Sequence, residues 1–149
     1  MNMKAIHLIT LAGILCAGLF TAMAAGKKEL AGPKGGRLLE KTAPTAEFFV
    51  EKDHTVTITF YDAALKPVAA GEQSVTVLAD GKAGKTRIEF EKKGDLLVSK
   101  GKLPDGDGYN VVVQFKQTAA ARPQNFRFGL DLHTCGGCKR AEYACICGH

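Results

Sequence analysis

Apolar and polar residues alternate along most of the chain. Residues 54–61 place Val56, Ile58 and Phe60 on one side and Thr55, Thr57, Thr59 and Tyr61 on the other. An extended backbone turns successive side chains to opposite faces, so this period of two marks a half-buried strand. Six more segments share it. Residues 46–50 are the first of them. Residues 74–79 align Val75, Val77 and Ala79, and residues 85–91 set Thr86, Ile88 and Phe90 opposite Arg87 and Glu89. Residues 95–100 align Leu96 and Val98, residues 109–115 align Tyr109, Val111, Val113 and Phe115, and residues 125–132 align Phe126, Phe128, Leu130 and Leu132.

Turn-forming residues separate these runs: Asp80-Gly81, Lys93-Gly94-Asp95 and Pro104-Asp105-Gly106-Asp107-Gly108. Glycine and aspartate accept the backbone angles that tight reversals need. No segment carries a convincing 3.6-residue period. The pattern predicts an all-β fold, an immunoglobulin-like antiparallel β-sandwich of about seven strands over residues 45–132. Tryptophan is absent, and no cysteine lies between residues 17 and 134. The Cys…Trp…Cys signature of antibody domains is therefore missing, and the core must stand on apolar packing.

The first 24 residues read as an address. Lys4 supplies a positive start, an apolar run follows from Ala5 to Ala25, and Ala22-Met23-Ala24 has the small-x-small form of a signal-peptidase site. The run is also long enough for a retained membrane anchor, but the small-residue site at its end favours cleavage. Leu15 before Cys16 speaks against lipidation. Residues 25–44, rich in glycine and lysine, are expected to be a flexible leader. Export implies a periplasmic or secreted protein in an oxidising space.

The chain has 149 residues and a formal charge of +5. That length fits one domain. The lysines are scattered over turns and strand ends, without the stripe and stacking aromatics of a nucleic-acid surface. No nucleophile–base pair, phosphate loop or His-Glu-x-x-His motif is present, so no catalytic residue is expected. His54 reads as a surface histidine. Asp105 and Asp107 read as turn residues, too few for a calcium loop.

Chemistry concentrates at the end of the chain. Residues 133–149 carry His133, Cys135, Cys138, Cys145, Cys147 and His149 in a nearly palindromic order. A hairpin turning near Ala141 would set His133 across from His149, Cys135 across from Cys147 and Cys138 near Cys145. Gly136-Gly137 would let the chain bend between two sulfurs. Four thiolates, or three with an imidazole, make a tetrahedral site for Zn(II), and soft sulfur also suits Cu(I). The two histidines would be alternative ligands or would orient the ligands. Lys139 and Arg140 would favour thiolate by charge.

Two other readings stand beside metal. An even cysteine count in an oxidising space also suits two disulfides, Cys135–Cys147 and Cys138–Cys145, which would make the tail a staple on a structural or protein-interaction module. Redox catalysis by Cys135-Gly136-Gly137-Cys138 would want a helix after the first cysteine, and none is predicted.

The run Gly32-Pro33-Lys34-Gly35-Gly36-Arg37-Leu38-Leu39-Glu40, followed by Ala46-Glu47-Phe48-Phe49-Val50, resembles the leader of bacterial periplasmic adaptor proteins of heavy-metal efflux systems. The resemblance covers about the first third of the exported chain and implies metal handling in the cell envelope. The helical hairpin and lipoyl-like parts of such adaptors are missing, so a pump-docking role is not implied.

Overall fold

The computed structural model describes residues 31–39, 42 and 44–147. The expected signal peptide and His149 lie outside the described residues. Nine strands form among the described residues: β1 (Arg37–Leu39), β2 (Thr45–Val50), β3 (Val56–Tyr61), β4 (Pro67–Val68), β5 (Ser74–Gly81), β6 (Gly84–Lys93), β7 (Leu96–Ser99), β8 (Tyr109–Lys116) and β9 (Gln124–Leu130), followed by a 3₁₀ turn, Glu142–Ala144. Every pairing between them is antiparallel. The seven strands expected from alternation are all present. β1 and β4 are additional, and β1 lies within the stretch that composition assigns to a flexible leader.

The strands run in the order β1-β2-β3-β7-β6-β5-β8-β9, with β4 on the side of β3. β6 belongs to both layers. Its first part, through Glu89, pairs with β5, and its second part, from Phe90, pairs with β7. One layer is thus β2-β3-β7-β6 and the other β5-β8-β9, the ABED and CFG arrangement of an immunoglobulin-type sandwich. Tyr109 at the start of β8 donates its hydroxyl to the Pro104 carbonyl at 2.9 Å, which ties that strand's entry to the preceding loop.

The core sits between the layers. Val56, Ile58 and Phe60 of β3 face Val111, Val113 and Phe115 of β8, all fully buried. The Phe60 and Phe115 rings meet at 6.2 Å, and Phe48 of β2 meets Phe128 of β9 edge-on at 5.4 Å. In β7 the expected phase is inverted. Leu97 and Ser99 are buried, while Leu96 and Val98 are half-buried. Two adjacent leucines leave the period ambiguous, and Ser99 decides it. Its hydroxyl accepts from the Val56 N–H at 2.8 Å and donates to the Gly101 carbonyl at 2.7 Å, so the polar group is satisfied inside.

The first and last strands do not hydrogen-bond to each other, which leaves a seam between β1–β2 and β9. The C-terminal tail fills it. Tyr143 is buried, stacks on Phe128 and meets Phe48 edge-on. Its hydroxyl accepts from the Val50 N–H at 3.1 Å, and its carbonyl accepts from the Arg37 guanidinium at 3.2 Å.

Candidate metal centre

The tail leaves β9 at Leu130 and does not continue as a strand. The expected long hairpin turning at Ala141 is replaced by a six-residue loop, with an isolated bridge pairing Thr134 with Ala141. Within it the Cys135 N–H donates to the Arg140 carbonyl at 2.7 Å, and the Lys139 N–H donates to the Cys135 carbonyl at 3.0 Å. Lys139 makes the reversal with a φ of 61°, so the left-handed turn falls after the glycine pair. Gly137 serves a different need. A Cβ there would stand 2.8 Å from the Cys147 sulfur, so the missing side chain makes room for a thiol. After the 3₁₀ turn the chain passes back over the loop and delivers Cys145 and Cys147.

The four sulfurs come together. Cys135 and Cys147 are 3.7 Å apart, Cys138 and Cys145 are 3.7 Å apart, and Cys145 and Cys135 are 3.3 Å apart. All four lie within 4.8 Å of one another. Four thiolates around one ion at about 2.3 Å would stand about 3.8 Å from each other. The cluster therefore has the dimensions of a tetrahedral thiolate site. Cys135 is buried, Cys138 and Cys145 are half-buried, and Cys147 is exposed, so one side of the cluster opens to solvent.

Backbone N–H groups are aimed at the sulfurs. Cys138 accepts from the N–H groups of Ile146 and Arg140, which stabilise its thiolate and lower its pKa to about 6. For Cys145 the Cys147 N–H pulls in the same direction, but burial and the neighbouring sulfurs outweigh it and push that thiol up to about 12. Cys147 is also raised, by its contacts with Cys135 and Cys138 and then by burial. One anchored thiolate thus sits beside two thiols that hold their protons. A cation entering the cluster would displace those protons.

His133 is placed elsewhere. Its Nδ1 is 2.9 Å from a carboxylate oxygen of Asp131 and 2.9 Å from one of Asp107, and its side chain is 79% exposed. The hydrogen bond that it donates to Asp131, then the charge of Asp107, raises its pKa. It groups with those two carboxylates and not with the sulfurs. Asp107 also accepts from the Leu132 N–H at 2.7 Å and so clasps the start of the tail to the β7–β8 loop. Asp107 thus does more than shape its own turn, because it holds residues of the tail. His54, with a φ of 67°, turns the chain between β2 and β3, 3.8 Å from Asp105.

Sequence reasoning missed the group that positions the far wall of this site. Glu47, to which the sequence reading gave no role, is fully buried in β2. Its carboxylate accepts from the Gly36 N–H at 2.7 Å, from the Lys34 N–H at 3.0 Å and from the Tyr61 hydroxyl at 2.7 Å. Gly32 packs directly on the Glu47 side chain, where a Cβ would collide with it, and Gly36 packs against the Phe48 carbonyl. The turn over residues 32–36 is thus wrapped around one carboxylate. The Gly32 carbonyl accepts from the Arg140 guanidinium at 3.2 Å and so ties that turn to the cysteine loop. The available signal was the pairing of a glycine-rich run with a lone acid inside an apolar strand.

No protein-family model matches the chain, and neither a curated protein nor a solved structure is found to be similar to it.

Proposed function

We propose that this is an exported protein of the cell envelope that binds a thiophilic metal ion through Cys135, Cys138, Cys145 and Cys147. The observation that carries the reading is the mutual distance of the four sulfurs, each within 4.8 Å of the others. A four-sulfur tetrahedron favours Zn(II), whereas Cu(I) draws on the same soft ligands. The open side at Cys147 suits a site that exchanges its ion, in buffering, delivery or efflux. Export is supported by the signal-peptide pattern of residues 1–24, and the envelope metal context by the resemblance of the Gly32–Glu40 run.

A second reading has its own observation. The two pairs expected for disulfides, Cys135–Cys147 and Cys138–Cys145, are each 3.7 Å apart. In an oxidising compartment these pairs would close into two bridges on an interaction module.

Native and denaturing mass spectrometry of protein from the cell envelope, with thiol alkylation, separates the two. Metal binding predicts one zinc per folded chain and four alkylated thiols after chelation. A metal-free mass about 4 Da below that of the reduced chain, with no thiol alkylated, would establish two disulfides and overturn the metal reading. Copper in place of zinc would keep the site and change the ion.

A further inference from the structure

An open groove of about 390 Å³ lies beside the cysteine loop, between two walls. One wall comes from the 32–36 turn and the β2–β3 connection, the other from the tail at Leu132 and residues 139–141. Four cationic residues, Lys34, Lys52, Lys139 and Arg140, contribute to its lining, against one carboxylate residue, Glu51. The Lys139 ammonium is held by the Gly136 carbonyl at 2.8 Å and the Arg140 guanidinium by the Gly32 carbonyl at 3.2 Å. Neutral acceptors fix these groups in place without cancelling their charge. Lys34 lies over the Phe49 ring at 5.1 Å, with Glu51 at 3.8 Å.

The lining also carries apolar side chains, Phe49, Leu132 and Tyr143 among them. A concave site of this size that combines cationic and apolar residues fits a small ligand with an apolar body and a negative head. A cleft lined by one sign of charge also concentrates counter-ions of the other sign.

We propose that this cavity binds a small organic anion, a carboxylate on an apolar or aromatic body, and binds it best when the cysteine loop holds its metal. The metal dependence rests on the reading of the four cysteines given above. Residues 139–141 are at once a wall of the cavity and part of the loop that the sulfurs would lock. An ion that fixes the loop preforms the anion site, and by linkage the anion strengthens metal binding by the same factor.

The test uses the reduced, zinc-loaded protein, its zinc content measured, titrated with benzoate and followed by amide chemical shifts. Saturable shifts confined to residues 34, 49–52 and 139–141 are expected. The neutral analogue benzamide should bind at least about tenfold more weakly, and so should benzoate to the Lys34→Gln/Lys52→Gln variant at unchanged zinc content. Chelation should weaken benzoate by at least about tenfold as well. Shifts that are diffuse or never saturate, or equal binding of benzamide, overturn the anion site. One zinc per chain with no saturable benzoate binding overturns the cavity proposal alone. Saturable binding by protein that takes up no zinc sustains the cavity and overturns both the metal dependence and the reading of the cysteines.

Discussion

The body of the sandwich meets itself through apolar side chains: Phe60 against Phe115, and Val56 and Ile58 opposite Val111 and Val113, all without exposed surface. The tail meets the body through Tyr143 and a set of directed hydrogen bonds, and meets itself through four sulfurs. The body contains no cysteine, and the tail places only Tyr143 and Ala144 in the main core. Packing that buries apolar area is sufficient for the sandwich. The 17 described residues after β9 (131–147) bury too little to hold a shape by that means, and they rely on bonds that name their partners. The consequence is a division of labour. The body should fold without metal, and metal should organise the tail.

The largest expected effect tests the body alone. Phe60→Ala removes a fully buried ring far from the sulfurs. It should lower the unfolding free energy by about 3–5 kcal/mol, measured by urea titration with chelator present. Zinc stoichiometry of the folded variant should stay at one. If zinc binding fell in step with stability, the body and tail would be one cooperative unit.

Glu47 tests the join between them. Glu47→Ala leaves the Tyr61 hydroxyl and the Gly36 N–H without their buried acceptor. The cost should be about 3 kcal/mol of sandwich stability. Because the 32–36 turn loosens and holds Arg140 less well, zinc affinity should fall too. Glu47→Gln, which keeps the shape and one acceptor oxygen, should recover part of both. A variant that lost stability yet bound zinc at full strength would show that the turn does not support the loop.

Changing pH should affect the tail and spare the body. Cys145 and Cys147, both raised, keep their protons at neutral pH, whereas Cys138, lowered to about 6, has lost its own. Zinc must therefore displace at least two protons. Apparent affinity should fall at least about a hundredfold for each unit that pH drops below 8. Below pH 6 Cys138 also protonates, and the fall should steepen. Competition with a chelator indicator across pH 5.5–8 measures the slope. A flat profile would mean that the sulfurs do not bind the ion as thiolates.

The same contrast governs how much of the molecule could be read from its sequence. Alternation found all seven long strands, because a side chain's face depends only on its place along the strand. It failed in β7, where Leu96 and Leu97 are adjacent and the choice of face belongs to Ser99 and its partner Val56. It was silent on Glu47, a charged residue that is inside because a distant glycine turn supplies donors to it. In the tail, symmetry of spacing found the pairs Cys135–Cys147 and Cys138–Cys145 although the local structure is a tight loop and not a hairpin. Spacing could not place His133, whose position depends on Asp107, some 25 residues earlier in the chain. Properties set within a few residues were legible, and those set by a remote partner were not.

Tyr143→Phe is the smallest change that still separates the two regions. It deletes one oxygen, the acceptor of the Val50 N–H, and keeps the ring contacts with Phe48 and Phe128. Val50 lines the open cavity beside the loop, so water can reach part of the freed N–H. The loss should be about 1 kcal/mol. The question is where it appears. If the tail docks on an already folded body, urea unfolding of the body should hardly shift, and the loss should emerge as about fivefold weaker zinc binding, because the loop is less often in place to receive the ion. If the midpoint of body unfolding falls by the full amount while zinc affinity holds, Tyr143 belongs to the core of the sandwich, and the loop forms its site without being held against the seam.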